Sequence, residues 1–345
     1  MNFQPMRLRA PAVTALTALW SAAFVETAWA HVKWFCAYDV AGQPRGLENV
    51  LCPDFELLVG TAMLALLGCC LLEVTELGHA IVRAIDRVTC SLREHTELLF
   101  RAGCGAFFVA VWALGGVILT PELKTNSSAI SWLQLAIAAG MLSRRTMPLS
   151  GIGMAILFGV AVKEYGAFHL ADYPVFIGVA CYIALTGLQR DLFGIRPLDI
   201  VRWSAAITLM WASIEKWAYP EWSFPLLVEH PAISRGYDFE FFMRTAGVVE
   251  FTLAFALLWT PLIRRACAIL LCAMFISAIF EFGKIDAIGH GPIIIVLLAL
   301  AADDASTVPR LRSSLLVPAA YSVALIFTLA LYYLAHTFIF GTRIV

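Results

Sequence analysis

Apolar runs of near-bilayer length follow one another along almost the whole chain, and this leaves few folds open. A bilayer core about 30 Å thick is crossed by about 20 apolar residues of helix. Eleven candidate spans can be read, near residues 12-30, 55-73, 102-120, 129-143, 147-163, 173-188, 199-217, 245-262, 266-283, 291-302 and 315-340. The backbone of such a run finds no water inside lipid, so it must close its own hydrogen bonds as a helix or in a closed barrel. No segment alternates apolar and polar residues with barrel periodicity, which leaves helices. Hydrophobic residues make up 61% of the 345, against roughly 45 to 50% in soluble domains. The sequence predicts an all-α integral membrane protein of about 10 or 11 transmembrane helices, lying in a lipid bilayer of the bacterial inner-membrane (plasma membrane) type. The net charge of -1 argues against a nucleic-acid partner.

Orientation follows from the basic residues. With the N-terminus inside, every basic residue of the inner segments is Arg, including Arg83, Arg87, Arg93, Arg101, Arg144, Arg145, Arg190, Arg196, Arg202, Arg264 and Arg265. The outer segments hold fewer basic residues and all the Lys, as the positive-inside rule expects. Residues 1-30 admit two readings. Ala28-Trp29-Ala30 closes a signal peptide with cleavage before His31, or the stretch is an uncleaved first helix. Residues 31-100 then comprise an outer loop, a span and an amphipathic segment on the inner surface, read as a helical hairpin or extension over 74-100.

The pattern Trp, eight residues, Pro-Glu occurs at Trp112 to Glu122 and again at Trp211 to Glu221. Each is followed two spans later by Glu-aromatic-Gly, at 164-166 and 281-283. These marks predict two tandem parallel four-helix units, 101-188 and 202-302, followed by a final span over 315-340.

Ionisable residues within spans are costly and point to function. Glu215, Lys216, Glu250 and Glu281 belong to the second unit, and His290 follows Glu281 by nine residues. By position, Gly116, Val117 and Gln134 replace Glu215, Lys216 and Glu250 in the first unit, so the second is expected to hold the site. His31, His169, His230 and His336 also fall toward the outer side. The bland alternative is that these charges neutralise one another or sit separately at helix ends. No His-x3-His, Cys-x2-Cys or Glu-x2-His spacing marks a metal site. A cleaved signal would leave His31 with a free amine able, with its imidazole, to chelate copper. Cys36 and Cys52 share the first outer loop, where a disulfide is expected; closing a loop of that size stabilises by about 3 kcal/mol in the chain-entropy model.

Arg202-Trp203, Glu215-Lys216, Pro220-Glu221-Trp222, Gly247-Val248-Val249-Glu250, Arg264-Arg265-Ala-Cys-Ala and Glu281-Phe282-Gly283 together resemble the four-helix DoxX-like membrane family. The resemblance covers residues 202-302, with 101-188 like a degenerate copy, and picks out Lys216 and Glu250 as the family-like polar pair. It implies a quinone-associated redox or redox-support protein, an oxidoreductase subunit or its helper working with other membrane redox subunits. The alternative class is a non-enzymatic transporter or copper-handling protein, or a structural subunit of a membrane complex.

Overall fold

The computed structural model describes residues 31-305 and 316-343. Residues 1-30, on which the signal-peptide reading falls, lie outside them. Among the described residues the fold is all-α, with ten long helices: α1 Pro53–Glu73, α2 Glu76–Glu94, α3 Thr96–Leu114, α4 Ser128–Gly140, α5 Met147–Tyr165, α6 Pro174–Leu188, α7 Pro197–Ala218, α8 Phe239–Ala256, α9 Pro261–Ala302 and α10 Leu316–Phe340. Five of these, α1, α3, α5, α9 and α10, are long and apolar enough to cross a membrane, and the protein is a multi-pass membrane protein. The other expected spans are helical but shorter or more charged. α4 and α6 have 13 and 15 residues, about 20 and 22 Å at 1.5 Å per residue.

α9 is a hairpin. Its 42 residues, if straight, would extend about 63 Å, yet the Arg265 guanidinium donates to the Ala301 carbonyl at 2.8 Å and Arg264 to the Asp303 carbonyl at 2.7 Å. The reversal is at Gly283, whose φ of 71° and ψ of -145° are not helical and are essentially restricted to glycine. The expected spans 266-283 and 291-302 are therefore its two arms. Gly166, with φ 87°, ends α5 in the matching position of the other Glu-aromatic-Gly mark.

The helices pack in a closed circuit: α3 on α4, then α5, α6, α7, α8, α9 and back to α3. At the α6 to α7 seam, a Cβ on Gly178 would lie 1.8 Å from the Ser204 hydroxyl, the close approach that small residues permit between membrane helices. α1 and α10 pack against each other and against α8. α2 is amphipathic and docks on α9. Of the two forms expected for 74-100, hairpin or extension, the structure has a single helix, which Thr75 caps by accepting from the Gly78 N–H.

The third expected span, 102-120, stops at Leu114. Residues beyond it turn back through a Val117 to Lys124 bridge and bury Ile118, Leu119 and Leu123. Irregular backbone survives at such depth only when its polar groups are satisfied. The buried Gln134 amide does this, donating to the Val117 and Ile118 carbonyls at 2.6 and 3.0 Å.

Candidate functional site: a buried polar chamber between the two halves

α7 carries charge clusters at both ends. At its C-terminal end Glu215 and Lys216 face a chamber also lined by α6, α8 and α9, and bordered by residues 31-34. Two adjoining cavities share His31, Ala212 and Lys216. The first adds Glu215, Tyr219, Trp222 and Phe282. The second adds Trp34, Asp172, Tyr173, Phe176, Glu250, Phe275 and His290.

Lys33 organises the centre. It is buried and forms an ion pair with Glu215 at 2.7 Å and another, shorter, with Asp172. Its ammonium also lies 5.8 Å from the ring centroids of Tyr38 and Trp222, within cation–π range. Burial opposes its charge, but the two carboxylates outweigh burial and raise its pKa above the ordinary value. Asp172 precedes the first turn of α6, so a loop lysine ties α6 to α7 across the two halves.

Two further pairs face the same space. Lys216 meets Glu250 at 2.6 Å. Asp286, in the first turn after Gly283, accepts from His290 Nδ1 at 2.9 Å. An ionised carboxylate on Nδ1 fixes that tautomer and leaves Nε2 to accept a proton. The His290 ring lies between Trp34 and Phe275, with centroids at 4.6 and 4.5 Å. A third chain runs from His31 Nε2 to the Tyr173 hydroxyl at 2.6 Å and on to Glu122, which Tyr173 contacts at short range. His169 Nε2 approaches Glu122 Oε1 at 3.9 Å. Burial first, then the neighbouring Lys33, holds His31 well below its ordinary pKa, so the ring is neutral.

The structure thus brings together Glu215, Lys216, Glu250, His290 and His31. It does not bring Glu281, which bonds His230 Nδ1 at 2.6 Å on the half-exposed surface beside the Gly283 turn. The site, expected in the second unit, also draws on the first half: Glu122 comes from the loop after α3, and Asp172 and Tyr173 from the residues just before α6. The equivalent mark residue Glu221 stays at the surface with Arg45, 3.5 Å away. Lys33 was missed because nothing in a loop sequence announces insertion. Its one signal is a lysine set among Val32, Trp34 and Phe35.

The expected Cys36 to Cys52 bridge is not formed; both thiols are free. Cys36 lies beside the Leu226 backbone, where burial raises its pKa, whereas Cys52 immediately precedes α1. Among the described residues no group of three or more His, Cys, Asp or Glu could hold a metal ion; the copper expectation for His31 depends on cleavage within residues 1-30, which lie outside the described residues.

The chain matches no known protein family, and no curated protein and no solved structure is detectably similar to it.

Proposed function

We propose that the chamber binds the headgroup of a quinone-type carrier at the outer leaflet and exchanges its protons, making the chain a quinone-associated redox or redox-support protein of a bacterial-type inner membrane. The observation that carries this is the lining of the second cavity. Aromatic walls from Trp34, Phe176 and Phe275 meet the Asp286-oriented His290 and the Lys216 to Glu250 pair. A flat, apolar ring with two oxygens asks for this combination: rings to stack on, a cation or imidazole for each oxygen, and carboxylates to carry protons away.

In this reading His290 Nε2 takes a proton from a hydroxyl, Asp286 stabilises the resulting imidazolium, and Glu250 exchanges protons opposite Lys216. The electrons pass to or from a partner subunit. The DoxX-like resemblance and the duplication of a four-helix unit belong to the same proposal, supported by the closed circuit that the four helices α3 to α6 make with α7, α8 and the α9 hairpin.

Solvent extraction of the purified protein tests it. Wild type is expected to retain stoichiometric quinone, and Glu250→Gln and His290→Ala to lose it while remaining folded. Wild-type protein without quinone, and unable to bind added quinone, would sink the idea. The adjoining of the two cavities at His31 and Lys216 favours a second reading, a non-enzymatic passage. For a passage, Glu250-dependent solute flux into proteoliposomes would be measured instead.

A further inference from the structure

The other end of α7 holds a second buried charge cluster that the chamber does not use. Along the helix Asp199 lies about 24 Å and Arg202 about 20 Å from Glu215, counting 16 and 13 residues at 1.5 Å each. Arg196, Arg202 and Arg264 share two carboxylates there, Asp199 and Asp303. The partly exposed Arg196 takes most of both. It donates to the two Asp199 oxygens at 2.9 Å each and to the two Asp303 oxygens at 3.1 Å each.

The two buried arginines are left short. Arg202 Nη2 forms an ion pair with Asp199 Oδ1 at 2.9 Å, but none of its three guanidinium nitrogens has an aligned hydrogen-bond partner. Arg264 uses one nitrogen on the Asp303 and Ala305 carbonyls, at 2.7 and 3.0 Å, and lies 3.5 Å from the Asp303 carboxylate. Its Nε and Nη1 have no partner. Both side chains are at most 1% exposed. A neighbouring group is balanced: Arg93 and Arg265 against Asp86 and Asp304. The surplus of three cations over two anions is therefore local to Arg202 and Arg264. The sequence of 306-315 holds no Asp or Glu and adds Arg310 and Arg312.

We propose that a phosphate group is bound between Arg202 and Arg264 at the Arg-rich end of the bundle, as the headgroup of an anionic lipid or as a free phosphate. A guanidinium presents a planar fork of donors that matches phosphate oxygens. Two such forks with idle donors, in a membrane protein end already biased toward Arg, supply both the charge and the geometry. Arg196 tunes the site by competing with the buried arginines for the two carboxylates.

The test uses the full chain in neutral detergent, with thermal midpoint and ligand titration as readouts. Phosphatidylglycerol, phosphatidylcholine and inorganic phosphate are the probes. Phosphatidylglycerol or phosphate is expected to raise the midpoint saturably. A shift with inorganic phosphate alone identifies a free phosphate, and a shift with phosphatidylglycerol but not phosphate identifies a lipid headgroup. Arg264→Gln abolishes the shift. Because that variant removes a buried group and could fail to fold, Arg196→Gln and Asp303→Asn keep the test decisive. Arg196→Gln returns carboxylate to the buried arginines and weakens binding about tenfold, while Asp303→Asn removes a carboxylate and tightens it by about as much. A midpoint unmoved by phosphatidylglycerol and phosphate, an equal shift with phosphatidylcholine, or unchanged affinity in both of those variants overturns the proposal.

Discussion

Lys33 shows how one side chain decides the character of the chamber. Two buried carboxylates on different helices would repel without it, and breaking a buried ion pair by removing one partner costs about 3–5 kcal/mol. Lys33→Met is therefore expected to lower the thermal midpoint in detergent strongly, and the triple variant Lys33→Met, Asp172→Asn, Glu215→Gln to recover most of the loss. An unchanged midpoint for Lys33→Met would show that the carboxylates are not held this way. His31 gives the pH dependence. Its folded pKa lies below the ordinary 6.5, through burial and then Lys33, with Lys216, His169 and His290 adding to the effect. In the window below 6.5 the unfolded chain binds the extra proton and the folded chain does not. Its contribution to stability is complete above about pH 6.5 and falls as the pH drops below that. The difference in midpoint between wild type and His31→Gln should shrink on acidification; a difference that grew would contradict a neutral, buried ring.

Among the elements, the α9 hairpin and the 31-34 strap border the chamber from two sides. A Cβ added to Gly289 would lie 2.1 Å from the Trp34 indole, so Gly289→Ala must expel Trp34 from its place against His290. The expected signature is a red-shifted tryptophan emission and earlier proteolytic cleavage in residues 31-45, with the helices intact. At the opposite end Arg265 clamps two elements: α2, through Asp86 and Thr89 at 2.7 and 2.8 Å, and the last turn of α9 through Ala301. The pairing with Arg265 and Arg93 holds the Asp86 carboxyl below its ordinary range. A cation donating to the last carbonyls of a helix also suits its dipole. Arg265→Gln should loosen α2 first, seen as faster hydrogen exchange over 76-94 than in the rest of the protein.

For the whole molecule, the closed circuit of helices gives the protein two chemically different ends. One carries His31, the chamber and, through the Gln43 to Arg343 bonds, the C-terminal segment; the other carries α2 and the arginine clusters. Single-cysteine variants retaining Cys36 or Cys90 should react with an impermeant maleimide from opposite faces of sealed vesicles. Labelling of both from one face would overturn the arrangement. Both Cys36 and Cys52 are expected to react as free thiols in the intact protein.

Periodicity and charge were enough to place most of the long helices, because lipid leaves the backbone no alternative to the helix and because Pro53, Pro174, Pro197 and Pro261 mark helix starts locally; α3 and α8 each start and end six residues before the expected spans 102-120 and 245-262. The glycines of the Glu-aromatic-Gly marks likewise announced the turns at 166 and 283. Glu215, Lys216 and Glu250 were legible as polar residues in expected spans, since their cost is a property of each residue in its span, and His290 as an outer-side histidine nine residues after Glu281. What the sequence alone determined is the class of fold, the turns and half of the chamber. Tertiary structure decided the rest: that Glu281 stays outside, that Glu122 and Asp172 come in, that Cys36 and Cys52 remain apart, and that Lys33 enters. Each of these depends on which loop folds over which helix end, and that is set by the packing of distant segments rather than by any local pattern.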